Sequence, residues 1–204
     1  MTSIAQNHPT LIQAAWKTDS SLLRSLLLAV AGSLALWVSA KVQIPFFPVP
    51  LTMQTLVVLM IGMSFGWKLG GATLALYLAE GAVGLPVFSG TPEKGIGLAY
   101  MMGPTGGYLF GMFVAAIAVG WLATKGFGKK VWTTFLAMLV GNGLIYLFGL
   151  LWLGTVVGWD KPVLAWGLTP FLLGDLVKIV LAMIALPSLW KLLNRHNDDQ
   201  DTAQ

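Results

Sequence analysis

The sequence predicts an all-α integral membrane protein, a compact bundle of six transmembrane helices with both termini cytoplasmic. Composition comes first. Of 204 residues, 56% are hydrophobic and 10% are charged, with a mean hydropathy of +0.78. Soluble domains carry about 25% charged residues. Second, six apolar stretches stand out, near 22–40, 51–66, 69–89, 104–123, 131–156 and 169–190. A helix needs roughly 20 apolar residues to cross the hydrocarbon core. Third, the basic residues are divided unequally among the loops. With six spans, one side holds Lys17, Arg24, Lys68, Lys125, Lys129, Lys130, Lys191 and Arg195, and the other holds Lys41, Lys94 and Lys161. The positive-inside rule then puts both termini in the cytoplasm.

Residues 1–21 are polar and lack an apolar segment followed by a small-residue cleavage site, so they do not read as a signal peptide. They are expected to form a short interfacial piece. The membrane domain follows as 22–190. The second stretch is short, and Pro48 and Pro50 abut its start. Gly62, Gly66, Gly70 and Gly71 interrupt it and the third. Small residues recur at four-residue spacing, as in Gly62, Gly66 and Gly70 or Gly107 and Gly111. That spacing lets helix backbones approach closely. Tryptophans mostly flank the spans, as interfacial anchors do. Residues 191–204 read as a polar, frayed cytoplasmic tail.

The two main outer loops are unusual. The first, KVQIPFFPVPLTMQT, holds three prolines, which stiffen it. The second, near 80–107, is long, rich in Gly and Pro, and still apolar. Apolar loops of this kind are expected to fold over the bundle as a lid, and long loops tend to be functional.

Three ionisable residues fall within the spans: Glu80, Asp175 and Lys178. A charge at membrane depth is costly and marks a functional site by default. Asp175 and Lys178, three apart, share a helix face. The topology places all three in the outer half, under the lid loops. Gln54, Thr105, Tyr108, Tyr146 and Asn142 lie at similar depth, and Phe47 and Phe88 are candidate apolar walls. Mostly apolar walls with a few placed polar groups make a small-molecule pocket. The competing readings are a structural ion pair, polar contacts between helices for Gln54 and Asn142, interfacial anchors for the tyrosines, and lipid contact for the phenylalanines.

Much chemistry is excluded. The chain has no cysteine, and its two histidines, His8 and His196, lie in the polar termini. No GxxxxGK[ST] phosphate loop, HExxH or comparable metal cluster occurs. No basic stripe suits nucleic acid. These absences leave enzymatic chemistry little to work with. An intramembrane enzyme acting on a lipid has no nucleophile or catalytic histidine to work with.

Four blocks then fall in order: QIPFFPVPLTMQTL (43–56), YLAEGAVGLPVF (77–88), GPTGGYL (103–109) and PFLLGDLVK (170–178). Together they resemble the BioY family of biotin transporters, substrate-binding S components of energy-coupling factor transporters, over roughly residues 22–190. The family's Pro-x4-Asp-x2-Lys form is matched by Pro170, Asp175 and Lys178. The resemblance implies a bundle in the bacterial cytoplasmic membrane that binds biotin with high affinity from outside. It also implies a transmembrane coupling subunit with paired ABC-type ATPases, which would use the ATP. The coupling subunit would be recognised through small residues of the first helix, and Ala31 and Ala35 match that pattern. No cofactor is expected, and the oligomeric state, a homo-oligomer included, stays open.

Biotin suits these side chains. Its ureido ring has two N–H donors and a carbonyl, its thioether ring is apolar, and its chain ends in a carboxylate. Asp175 and Lys178 could serve the ureido group, or Lys178 the carboxylate. The backbone around Gly106, in the glycine-rich run 103–107, could donate N–H groups to an anionic end. The alternative function is a proton-coupled secondary transporter of a small organic anion, with Glu80, Asp175 and Lys178 as relay.

Overall fold

A computed structural model describes residues 8–15 and 22–201, with side chains through Arg195. The interfacial piece expected at the N-terminus falls only partly within them. Its described part forms a short helix, α1 (Leu11–Ala15), followed by α2 (Leu22–Lys41). Two short antiparallel strands come next, β1 (Gln43–Ile44) and β2 (Leu51–Thr52). The rest is α3 (Gln54–Ala82), α4 (Gly97–Met101), α5 (Gly106–Thr124), α6 (Val131–Val157), α7 (Val163–Gly167) and α8 (Leu172–Asp201). A single 3-10 turn, Thr169–Phe171, leads into α8.

Five of these helices are long and apolar enough to cross a membrane among the described residues. The second and third apolar stretches of the sequence run into one element, α3, without an intervening loop. At Gly66 the backbone leaves helical geometry, with φ 78° and ψ 174°, which a side chain would strain. A Cβ on Gly70 would lie 3.2 Å from the Gly62 Cα. Eight residues of unbroken helix rise about 12 Å. The chain therefore doubles back at Gly66, and α3 is two antiparallel arms, 54–65 and 67–82. Thr10, just before α1, packs beneath this turn, and a Cβ on Gly66 would meet its methyl at 2.8 Å.

Helix α5 occupies the centre, packed against both α3 and α6, while α2 packs on α3 and α8 on α6. On α2, Ala29, Gly32, Ser33, Leu36, Ser39 and Ala40 are buried. That spacing is one helical stripe. The opposite face, with Leu27, Ala31, Leu34, Ala35 and Val38, is exposed. Large apolar side chains also cover the outer faces of α6 and α8. In lipid such faces are at no disadvantage, and helices associate through close packing rather than hydrophobic burial.

The glycine spacing does this work at Gly62, where a Cβ would come within 2.6 Å of the Ala116 carbonyl oxygen on α5. Gly62→Leu is expected to cost on the order of 3 kcal/mol or more, because backbone cannot move aside as a side chain can. A lowered thermal unfolding midpoint in detergent, against the parent, measures it.

One boundary differs from the sequence reading. The tail expected from residue 191 continues α8 to Asp201. Nothing after Pro187 breaks the helix, since no Gly or Pro follows it. Lys68, Lys125 and Lys129 lie 5.4, 5.4 and 4.7 Å from the ring centres of Trp67, Trp121 and Trp190. The basic end of the bundle thus also carries aromatic rings, opposite the end that holds the strands and α4.

Candidate functional site

The strand pair and the segment 83–105 close over one end of the bundle and are tied to each other. The Ser89 hydroxyl donates to the Gln43 side-chain oxygen. Tyr100 on α4 donates its hydroxyl to the Ser89 carbonyl at 2.7 Å, and Tyr77 on α3 donates to the Val87 carbonyl at 3.0 Å. Burial holds the Tyr100 phenol above its ordinary pKa, so it remains a donor. The lid expected from two apolar loops is therefore built, with backbone carbonyls as its fastening points.

Under it lies a pocket whose space, open mouth included, is about 540 Å³. Val49, Pro50 and Thr52 come from the strand pair, Ser89 and Tyr100 from the second lid segment. Gln54 and Thr55 open α3; Thr105, Tyr108, Leu109 and Met112 stand at the start of α5. Ile145 and Tyr146 come from α6, and Phe171, Asp175 and Lys178 from the start of α8 and its preceding turn. Apolar walls with a few convergent polar groups are the usual make-up of a small-molecule site.

The polar core of the pocket is the Asp175–Lys178 pair, 3.0 Å apart, with side chains 7% and 12% exposed. Lys178 also donates to the Thr55 hydroxyl at 2.9 Å. The Tyr146 hydroxyl donates to the other Asp175 oxygen. Asp175 is thus held by neighbours from α6 and its own helix, and Lys178 reaches across to α3. Two of the three ammonium protons are engaged among the described residues, which leaves one to offer. Tyr108, wedged where a Cβ on Gly149 would meet its ring at 2.4 Å, donates to the Gly167 carbonyl at 2.8 Å. Its oxygen stays free to accept.

Gln54 completes the set. The residue is 3% exposed, and its buried amide nitrogen makes no hydrogen bond of ordinary geometry among the described residues, only a looser approach to the Tyr77 hydroxyl. An unmade hydrogen bond of this kind costs about 1–3 kcal/mol. A ligand acceptor in the pocket would satisfy it.

The structure brings Asp175, Lys178, Gln54, Thr105, Tyr108 and Tyr146 together, and places five other candidates elsewhere. Glu80 accepts from the Ser33 hydroxyl on α2 and does not line the pocket. The rotation of the second arm of α3 turns it toward α2. Phe88 is buried behind the pocket wall, stacked on Tyr100 at 5.1 Å and edge-on to Tyr77 at 5.5 Å. Gly106 is tucked against Met101, whose carbonyl oxygen would lie 1.8 Å from a Cβ there, and its N–H is bonded to the Gly103 carbonyl at 3.0 Å. That N–H is not free for an anion. Asn142, one helical turn before Tyr146, borders a small void beyond Lys178 rather than the main pocket. Phe47 is 80% exposed, on the outside of the lid.

Sequence reasoning missed Thr55, Ser89 and Tyr100. Thr55 sits beside Gln54 and carried no separate signal. Ser89 and Tyr100 lie in the long glycine- and proline-rich segment after α3, whose polar residues alone could have flagged them.

The fold and this pocket define a multi-pass membrane protein with a covered small-molecule site. The BioY family model matches residues 9–195. The biotin transporter BioY of Thermotoga maritima is 37% identical over 171 residues, covering 83% of this chain and 98% of that protein. A probable biotin transporter BioY of Pyrococcus horikoshii is 37% identical over 147 residues, 72% of this chain and 84% of the relative. Biotin transporter BioY2 of Lactococcus lactis is 32% identical over 177 residues, 86% and 94% of the two chains. The chain belongs to the BioY family. The fold is that of the S-component for biotin from an ECF-type ABC transporter, whose crystal structure superposes with a TM-score of 0.71 at 23% identity, over 85% of this chain and 94% of the other. Relatives named as transporters agree with the expectation of a transport protein rather than an enzyme.

Proposed function

We propose that this chain is a high-affinity biotin-binding membrane subunit that captures the vitamin from outside and delivers it to the cytoplasm together with an ATPase module. The observation that carries the reading is the Asp175–Lys178 pair in a lidded pocket beside the unpartnered Gln54 amide. Asp175 and the tyrosine oxygens offer acceptors for the ureido N–H groups. Gln54, Lys178 and Thr105 offer donors for the ureido carbonyl and the carboxylate. Tyr100, Met112, Ile145 and Phe171 give apolar surface for the thioether ring and chain. The curated relatives' names and their full-length coverage support biotin as the ligand.

In this reading the chain lies in the bacterial cytoplasmic membrane as six embedded helices with both termini inside, and the two arms of α3, each shorter than the roughly 20 residues of a full span, are the second and third of them. The lysines beside Trp67, Trp121 and Trp190 support that orientation, since basic residues stay cytoplasmic and aromatic rings sit at the interface. The lid end then faces outward. The exposed face of α2, with Ala31 and Ala35, is free to dock a transmembrane coupling subunit, and paired ATPases bound to that subunit would supply the energy. Small exposed residues permit the close approach such docking needs.

A proton relay is the weaker reading. It requires Glu80 to communicate with Asp175 and Lys178, but Glu80 is bonded to Ser33 on the α2 side. Biotin uptake into proteoliposomes separates the two. Uptake should require ATP and the coupling module and should be insensitive to a protonophore. Uptake by this chain alone, abolished by a protonophore, would overturn the ATP-coupled reading.

A further inference from the structure

The charged fastening of the lid lies outside the pocket. Lys41 is the last residue of α2. Its ammonium donates to the Phe88 carbonyl at 2.9 Å, the Thr91 carbonyl at 3.0 Å and the Thr91 hydroxyl at 3.0 Å. All three ammonium protons are used on one short turn of the lid. The acceptors are well placed: Phe88 and Thr91 are buried, although the stem of Lys41 is exposed. Thr91 itself donates to the Phe88 carbonyl at 2.6 Å, closing the turn.

Between those acceptors sits Ser89, a wall of the pocket. Its carbonyl takes the Tyr100 hydroxyl, and the Phe88 ring stacks on Tyr100. Its hydroxyl reaches Gln43 in the strand pair. The turn held by Lys41 thus fixes two pocket walls and joins both lid segments. No other lysine donates to lid carbonyls in this way among the described residues. The middle of α2 is tied separately, by Ser33 to Glu80.

We propose that Lys41 is the latch by which α2 holds the ligand lid closed, a positioning residue that sets how long a bound ligand stays. The proposal rests on the biotin-binding reading of the pocket. Lys41 touches no ligand, and its loss loosens the turn 88–91 without altering the polar core at Asp175 and Lys178. Because the latch sits on α2, a displacement of that helix draws the ammonium away from its acceptors and frees the lid.

The test is the dissociation rate of radiolabelled biotin from the detergent-purified chain after dilution into unlabelled biotin. Lys41→Met should raise the rate about fivefold or more, with the association rate within about twofold of the parent, as loss of a partly solvent-screened, charge-assisted contact to the lid implies. Lys41→Arg, which keeps charge and donors, should restore most of the residence time. Ser33→Ala removes the other tie of α2 and should leave dissociation unchanged even where it lowers the unfolding midpoint. If Lys41→Met does not yield folded protein, Lys41→Gln should shift the rate in the same direction. Unchanged dissociation in the Lys41 variants, or an equal rise in Ser33→Ala, overturns the latch. A parent that binds no biotin overturns the reading beneath it instead.

Discussion

Lys178→Ala is expected to weaken biotin binding by about a hundredfold or more. Truncating one member of a buried, hydrogen-bonded charge pair at a binding site typically costs about 2–5 kcal/mol, and each 1.4 kcal/mol is about tenfold in affinity. Three contacts are affected together. The ligand loses the ammonium proton that the pair leaves available. Thr55 loses its link to α8. Asp175 keeps the Tyr146 hydroxyl but loses its counter-charge. Asp175→Asn should weaken binding in the same direction. The single variants should also unfold more easily, because an unpaired buried charge is destabilising. The double variant, Asp175→Leu with Lys178→Met, separates the two effects. It removes both charges, so its unfolding midpoint should return toward the parent while biotin binding stays lost. Equilibrium binding and thermal unfolding on the same preparations read both quantities.

Gln54→Met has the second large effect, with the opposite relation between binding and stability. Methionine keeps the length and bulk of the side chain but removes its donor. In the free protein that donor makes no hydrogen bond of ordinary geometry, only a looser approach to the Tyr77 hydroxyl, so its loss should change the unfolding midpoint little. In the complex a ligand oxygen would lose its hydrogen bond while remaining buried. A loss of about tenfold to hundredfold in affinity corresponds to the 1–3 kcal/mol of such an unsatisfied group. A variant that bound biotin like the parent would remove Gln54 from the site. One that unfolded at a much lower temperature would make it a structural residue.

The sequence marked which polar residues stand out in the spans better than the direction each one faces. Asp175 and Lys178 were legible because charges in an apolar run are rare and their spacing fixes a common face. Gln54 was legible for a similar reason. Glu80 was equally conspicuous, but its direction depends on the packing of the second arm of α3 against α2, which residue types do not encode. Phe88 and Gly106 were drawn into the candidate site by the motifs that contain them. They serve it from behind, as packing for Tyr100 and as a close approach to Met101. The doubling back at Gly66 was visible only as a boundary between two apolar stretches, because a helix reversal without a polar loop leaves little mark beyond a glycine. The lid was foreseen from apolar loops rich in proline. Its fastening was not, since most of it runs to backbone carbonyls.

Equilibrium binding of radiolabelled biotin to the purified chain in detergent tests the central claim most directly. The account predicts saturable binding, one molecule per chain, displaced by unlabelled biotin and lost in Lys178→Ala. No saturable binding by a folded parent, or binding that persists unchanged in Lys178→Ala, would contradict it.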